Sequence, residues 1–180
     1  MDQPELDVRH IVKTDCGLCA LWQPEWFASV TDQDAWDSRL SEDQALEGHI
    51  SAGVFVPLNV GGDGVFDVVV RTGGRTDRES RYTAVSSEPY LLISRGTLDL
   101  GGLENVGSHI GDAVVIPLAA GRYTVVVHLI DWADEPGAVD ADGNPTGVEL
   151  CDFMVEIAPE KDPAPTYRSN ILTFDHPDSD

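Results

Sequence analysis

The first groups in this chain whose spacing could do chemistry are the two thiols of Cys16-Gly17-Leu18-Cys19. A zinc site wants four thiolate or imidazole ligands. The other two would have to be Cys151 and a distant histidine, because there is no second C-x-x-C and no histidine pair at ligand spacing. A redox pair wants the motif to open a helix in a βαβ unit, where the helix dipole lowers the thiol pKa. This motif falls in a turn, so the expectation is two small, buried or half-buried thiols beside a turn glycine. No metal and no cofactor are assigned. Asp140-Ala141-Asp142-Gly143-Asn144, with Glu149 beyond, has the carboxylates of a calcium loop but not its order. The glycine comes too early, a proline follows Asn144, and the flanks read as strands rather than helices. An Asp-Gly turn is expected there.

The five histidines, His10, His49, His109, His128 and His176, are scattered. His128 lies inside the most β-branched run of the chain and is expected on a sheet face rather than as a base. A Ser-His-acid triad can assemble from distant positions, but there is no G-x-S-x-G elbow. Ser108 beside His109 makes no dyad, since successive side chains of an extended segment point to opposite faces. With 32 acidic residues, some carboxylate pair will always match a glycosidase separation, so such pairs carry no information. Gly61 to Gly64 lacks the Lys and Ser/Thr of a phosphate-binding loop. No catalytic residue is assigned, and the balance is against an enzyme.

Binding chemistry is better represented. Asp131-Trp132-Ala133-Asp134-Glu135 sets a tryptophan among acids at the end of that β-branched run. Asp131, Trp132, Asp134 and Glu135 are therefore the candidate partner-binding residues, a pattern suited to a basic protein. The competing reading of Trp132 is an anchor that covers the end of the sheet. Trp22, Trp26, Phe27 and Trp36 lie close together and are expected to pack a helical segment onto the sheet.

Net charge sharpens the choice of partner. Thirty-two acidic residues face eleven basic ones, giving −21, and only Lys13 and Lys161 are lysines. Solubility, a salt-rich cytoplasm, or steering toward a basic partner would each produce this balance. All three disfavour nucleic acid and anionic membrane surfaces as partners, which call for clustered Lys and Arg. No stretch approaches the roughly 18 apolar residues of a membrane span. The acidic opening Met1 to Asp7 carries no apolar run, so no leader is expected and a cytoplasmic location is.

The elements that must position these groups read mainly as strands. Leu6 to Lys13 alternates, with Leu6, Val8, His10 and Val12 on the more apolar face. With Leu18 to Trp22 it suggests an N-terminal hairpin. Thr31 and Asp34 suggest a capping box opening one helix over residues 33–47, stopped by Gly48. Val54 to Val60 and Val65 to Arg71 flank Gly61-Gly62-Asp63-Gly64 as a hairpin, with Pro57 marking an edge or bulge. Gly73 to Arg81 reads as a charged loop. Short strands follow at Tyr82 to Val85, Tyr90 to Ser94, Thr97 to Leu100, Ala113 to Leu118 and Arg122 to Asp131, the last of them central. Val148 to Ile157 and an edge at Asn170 to Phe174 bring the count to nine or ten. Strands do not alternate with helices, so the expected fold is mainly β, an antiparallel β-sandwich or jelly-roll with one short helix near residues 33–47. Residues 1–160 are expected to form that one domain, including a helical insertion at 24–48. Residues 161–180 read as a Pro-rich connector and polar tail, ending in a disordered stretch from His176 to Asp180.

The run Ile116-Pro117-Leu118-Ala119-Ala120-Gly121-Arg122-Tyr123-Thr124-Val125 resembles a strand, Gly-x-Tyr turn and strand of small acidic bacterial β-sandwich proteins such as the competence-type inhibitor of the DNA-entry nuclease. The resemblance covers about Val54 to Ile157 and carries over no functional residue. It implies an acidic sandwich that binds and blocks a basic enzyme. The leading expectation is a non-enzymatic acidic binding protein that engages another, basic protein as an inhibitor or immunity-like factor. A carbohydrate- or small-ligand-binding sandwich, with calcium at Asp140 and Asp142 as a variant, is the second. An enzyme with a site assembled from scattered residues is the third.

Overall fold

The computed structural model describes residues 5–107 and 111–174. Ser108 and His109, weighed above as a dyad, and the tail from His176 lie outside the described residues. Among the described residues there are eight strands: β1 Asp7–Thr14, β2 Leu18–Trp22, β3 Phe55–Asn59, β4 Gly64–Arg71, β5 Thr83–Ser86, β6 Tyr90–Gly102, β7 Val114–Ile130 and β8 Phe153–Pro159. Three helices join them: α1 Gln33–Leu40, α2 Asp43–Ser51 and α3 Asp77–Arg81. The chain is mainly β, as its alternation indicates.

The sandwich expectation needs correction. All eight strands belong to one sheet, ordered β1-β4-β8-β7-β6-β2-β3, with β5 also paired to β7. It is mixed rather than antiparallel, because β4 and β8 run parallel, Val68 opposite Phe153 to Arg71 opposite Glu156. The hydrogen-bonded path is open at both ends, and no second sheet is separately bonded among the described residues. What makes it continuous is the length of β6 and β7, each of which the sequence presents as two short strands. Their pairing runs from Tyr90 opposite Val125 to Leu100 opposite Val114, with one irregularity between Ser94 and Gly96. There Ser94 Oγ donates to Leu118 O at 2.7 Å and accepts from Gly96 N at 3.1 Å, while Gly96 takes φ +124°. The bulge bends the strand without ending it. Ala119-Ala120-Gly121, read as a turn, lies within β7: Ala119 and Ala120 fall at this irregularity, between Leu118 opposite Gly96 and Gly121 opposite Ser94, and the strand continues through it.

Neither expected hairpin of the first half forms. β1 pairs with β4, from Asp7 opposite Arg71 to Thr14 opposite Gly64. β2 lies between β3 and β6. The glycine-rich Gly61–Gly64 segment therefore joins two strands that do not pair with each other. β3 does end the sheet, as Pro57 requires, since a strand with a missing N–H is tolerated at an edge. Asn170 to Phe174 adds no strand there. Instead Thr173 Oγ1 accepts from Asn59 N at 3.0 Å and donates to Pro57 O at 2.8 Å, so a side chain covers the exposed edge.

The single helix over residues 33–47 is two helices broken at Ser41 and Glu42. The cap is Asp32, which accepts from Ala35 N at 2.8 Å, not Thr31. α2 runs through Gly48 to Ser51, and the chain turns at Gly53, which has φ +74°. A complete capping box does occur, but at Thr76 and Glu79, where it opens α3 within the segment read as a loop.

One large core packs against one side of the sheet. Trp22, Phe27, Phe55, Tyr90 and Tyr123 are buried in it, and α1 and α2 cover it with Leu40, Leu46 and Ile50. Trp36 is half-buried and donates from Nε1 to Leu103 O at 3.2 Å. The N-terminal aromatics thus pack the helical layer onto the sheet as expected. Trp26 is the exception, 44% exposed with Nε1 donating to His49 Nδ1. A second, smaller cluster of Val69, Ile130, Leu150, Cys151 and Met154 lies on the other side of the central strands, with Tyr82 and Trp132 packed against it. β8 sits between β4 and β7 and, among the described residues, is the sole strand bonding the β1–β4 pair to the rest of the sheet.

Candidate functional site

The polar groups that converge most closely lie beside this second cluster, across β5, β7 and β8. Ser86 stands opposite His128 on β7, and Glu156 of β8 stands opposite Val126, two residues along. By strand alternation His128 and Val126 share a face. The three polar side chains therefore meet across adjacent strands. Ser86 Oγ is 2.7 Å from His128 Nδ1, and His128 Nε2 is 3.0 Å from Glu156 Oε2. An ionised Glu156 accepts from Nε2–H, which leaves Nδ1 to accept from the serine hydroxyl. His128 is 3% exposed, whereas Ser86 is exposed. Burial pushes the imidazole pKa below its ordinary value and Arg75 adds to that, outweighing the opposite pull of Glu156.

Next to this relay is a buried ion pair. Arg71 Nη1 and Nη2 donate to Glu79 Oε2 and Oε1 at 2.7 and 3.1 Å, and Arg71 Nε reaches Asp7 at 3.1 Å. Glu79 also accepts from Thr76 N at 2.7 Å, so the capping box and the ion pair share one carboxylate. Burial raises the Glu79 pKa, but Arg71 and Thr76 outweigh it and hold the carboxyl below its ordinary value. A groove of about 280 Å³ opens along β7 and β8, lined by Thr124, Val126, Ala158, Pro163 and Pro165, with Glu156 in its wall.

The four partner-binding residues read from sequence are placed together just past β7, but two are engaged internally. Trp132 Nε1 donates to Asp152 Oδ1 at 2.8 Å over the second cluster. Glu135 accepts from Arg78 Nε at 2.6 Å, which lowers its pKa. Asp131 and Asp134 are exposed. Around them the bases gather: Arg9, Arg71 and Arg78 are all in ion pairs here, and Arg75 and Arg81 lie in and before α3.

The helical layer is the opposite case. Asp32, Asp34, Asp37, Glu42, Asp43 and Glu47 are all exposed, and none forms an ion pair among the described residues. The one arginine among them, Arg39, donates to Ser29 Oγ at 2.7 Å and lies over the Phe27 ring at 5.6 Å. Beside these acids runs a groove of about 310 Å³ lined by Trp36, Leu40, Leu46, Leu103 and Ile171.

The remaining motifs resolve simply. Asp140 Oδ1 accepts from Asp142 N and Asn144 N, both at 2.9 Å, closing the expected Asp-Gly turn. Cys16 is exposed, while Cys19 and Cys151 are buried and burial pushes both thiols up to about 12. A thiol-reactive maleimide should therefore modify one cysteine in the native protein and all three after denaturation, counted by intact mass. Rapid modification of Cys19 without denaturant would contradict that burial. Reading the sequence missed Ser86, Glu79, Arg71 and Glu156. Thr76-x-x-Glu79 was a legible signal; nothing marked Ser86, which acquires its partner only through strand register.

No family model matches the chain, and no curated protein matches it. Among solved structures, one described as crocagin biosynthetic gene J aligns with TM-score 0.57 and 17% identity, over 88% of this chain and 100% of that one. The two share a fold. The crystal structure of ComJ, inhibitor of the DNA degrading activity of NucA, from Bacillus subtilis, aligns with TM-score 0.48 and 8% identity, over 84% of this chain and 95% of that one.

Proposed function

We propose that this protein binds a basic protein partner, as an inhibitor or immunity-like factor does. The observation that carries the reading is the uneven use of charge. Five of the eleven lysines and arginines, Arg9, Arg71, Arg75, Arg78 and Arg81, lie in or near α3, three of them in internal ion pairs, while six carboxylates of the helical layer stand exposed and without an ion pair beside an apolar groove. An acidic rim around an apolar depression steers a basic surface by charge and retains it by burial of its apolar side chains. Asp131 and Asp134, with Trp132 and Glu135, offer a second acidic contact. Its tryptophan and glutamate must leave Asp152 and Arg78 before they can serve a partner.

The test begins with the basic protein recovered stoichiometrically from a lysate of the native source. The quadruple variant D34N/D37N/E42Q/D43N should slow its association about tenfold at low salt and flatten the salt dependence. The triple variant D131N/D134N/E135Q should have a smaller effect. Reversed effects would move the contact to the Asp131 end of the molecule. No recovered basic protein, or association rates untouched by either variant, would reject the proposal.

A further inference from the structure

We propose that Ser86 is an activated nucleophile, with His128 as its base and Glu156 as the group that positions His128, and that it cleaves esters of apolar acyl groups. This goes beyond partner binding and uses none of the same residues. Four observations carry it. The serine hydroxyl is exposed and 2.7 Å from a ring nitrogen. The other ring nitrogen is 3.0 Å from a carboxylate, which fixes the tautomer a base requires. The imidazole itself is buried, which disfavours its charged form and shields its nitrogens from water. Glu156 also forms part of the wall of the apolar groove, so the groove lies at the carboxylate end of the relay. A serine, histidine and carboxylate linked in series, with an apolar groove at the carboxylate end, is where nucleophilic catalysis is sought first.

The chemistry balances without any added group. Ser86 Oγ attacks the ester carbonyl carbon and its proton passes to His128 Nδ1. The new C–O bond forms, the bond to the leaving alkoxide breaks, and Nδ1–H protonates the departing alcohol. Water repeats the sequence on the acyl-serine, giving a carboxylic acid and free Ser86. Throughout, Nε2–H remains bonded to Glu156. The two ring nitrogens exchange the roles they hold in serine proteases, but the proton path is the same.

The probe is an alkyl fluorophosphonate, whose P–F bond breaks as a serine P–O bond forms, releasing fluoride. One adduct per chain is expected, mapped to Ser86 by peptide mass and absent from S86A. An octyl probe should react faster than an ethyl one, because the chain can lie in the groove along Val126 and Ala158. H128Q should label at least about a hundredfold more slowly, the size of a general-base contribution. Should H128Q fail to fold, E156Q serves instead, since Glu156 is partly exposed. There the labelling rate should fall and its pH profile should move. In the native protein labelling should rise through a pKa below about 6.5. That titration is set by burial of the ring, then by Glu156 on β8, Arg75 before α3 and Glu79 in α3, while Ser86 on β5 faces Nδ1. Release of p-nitrophenolate from p-nitrophenyl octanoate should follow the same order of variants. The proposal is overturned by an unlabelled protein, by an adduct that persists in S86A, or by E156Q and H128Q that label at the native rate and pH profile.

Discussion

Replacing Glu79 by glutamine should cost about 3 kcal/mol of folding stability, because it leaves Arg71 buried with its main counter-charge removed. The Arg71 and Glu79 side chains are 12% and 6% exposed, so water can do little to compensate. The same change also removes a carboxylate from the capping box of α3, where Glu79 accepts from Thr76 N. Asp7, bonded to Arg71 at 3.1 Å, keeps the loss from being larger. The comparison variant is E135Q. It breaks the more exposed Arg78 pair and should cost under about 1 kcal/mol. Urea unfolding of both, followed by tryptophan fluorescence, measures the difference, and equal losses would mean that burial of the Arg71 pair adds nothing. Acid offers a second readout. The Glu79 pKa lies lower in the folded than in the unfolded protein. Its contribution is therefore complete above about pH 4.3, the ordinary value for glutamate, and is lost as pH falls below it. E79Q should lack that part of the acid transition.

Gly107→Ala should be at least as damaging, at about 3 kcal/mol or more, from two separate causes. Gly107 has φ +117°, which L-residues rarely adopt. An added Cβ would lie 2.6 Å from Val30 O and 2.8 Å from Val30 Cγ1, and Val30 is fully buried, so backbone would have to move. Gly143→Ala separates the causes. Gly143 has φ +83° with open space around it, so it should cost only the conformational part, about 1–2 kcal/mol. Equal melting-temperature losses for the two variants would show that contact with Val30 contributes nothing.

These two positions mark where the sequence could and could not be read. Strand locations followed from alternation: Asp7–Thr14 and Leu18–Trp22 lie where apolar residues recur at every second position or in a short run. Partners did not follow, because neither strand carries a local signal that its mate is β4 or β6 rather than its neighbour in sequence. The breaks assigned at Arg95-Gly96 and Ala119-Ala120-Gly121 failed for a related reason. Glycine and alanine permit a turn, yet they equally permit a bulge or bend within a ladder already held by neighbours. The capping box was visible as Thr76-x-x-Glu79, but the short helix behind it carried too few apolar residues to show a period. The relay at Ser86 was beyond reach, since it depends on β5, β7 and β8 being adjacent, and nothing along the chain specifies that order.

The place of β8 has a consequence for how the molecule comes into being. Before Phe153–Pro159 is in place, β1 and β4 can bond only to each other, and β7, β6, β2 and β3 form a separate ladder. The strand that unites them is the last of the eight to leave the ribosome. A nascent chain therefore carries two incomplete sheets with open edges until synthesis is nearly finished. Pairing β4 with β8 then closes a loop of 85 residues, as between Val68 and Phe153. Closure over such separations is slow and leaves edges open to wrong partners meanwhile. Refolding should accordingly show a late phase that joins the two halves, in which fluorescence of Trp132, packed over β8, changes after that of Trp22.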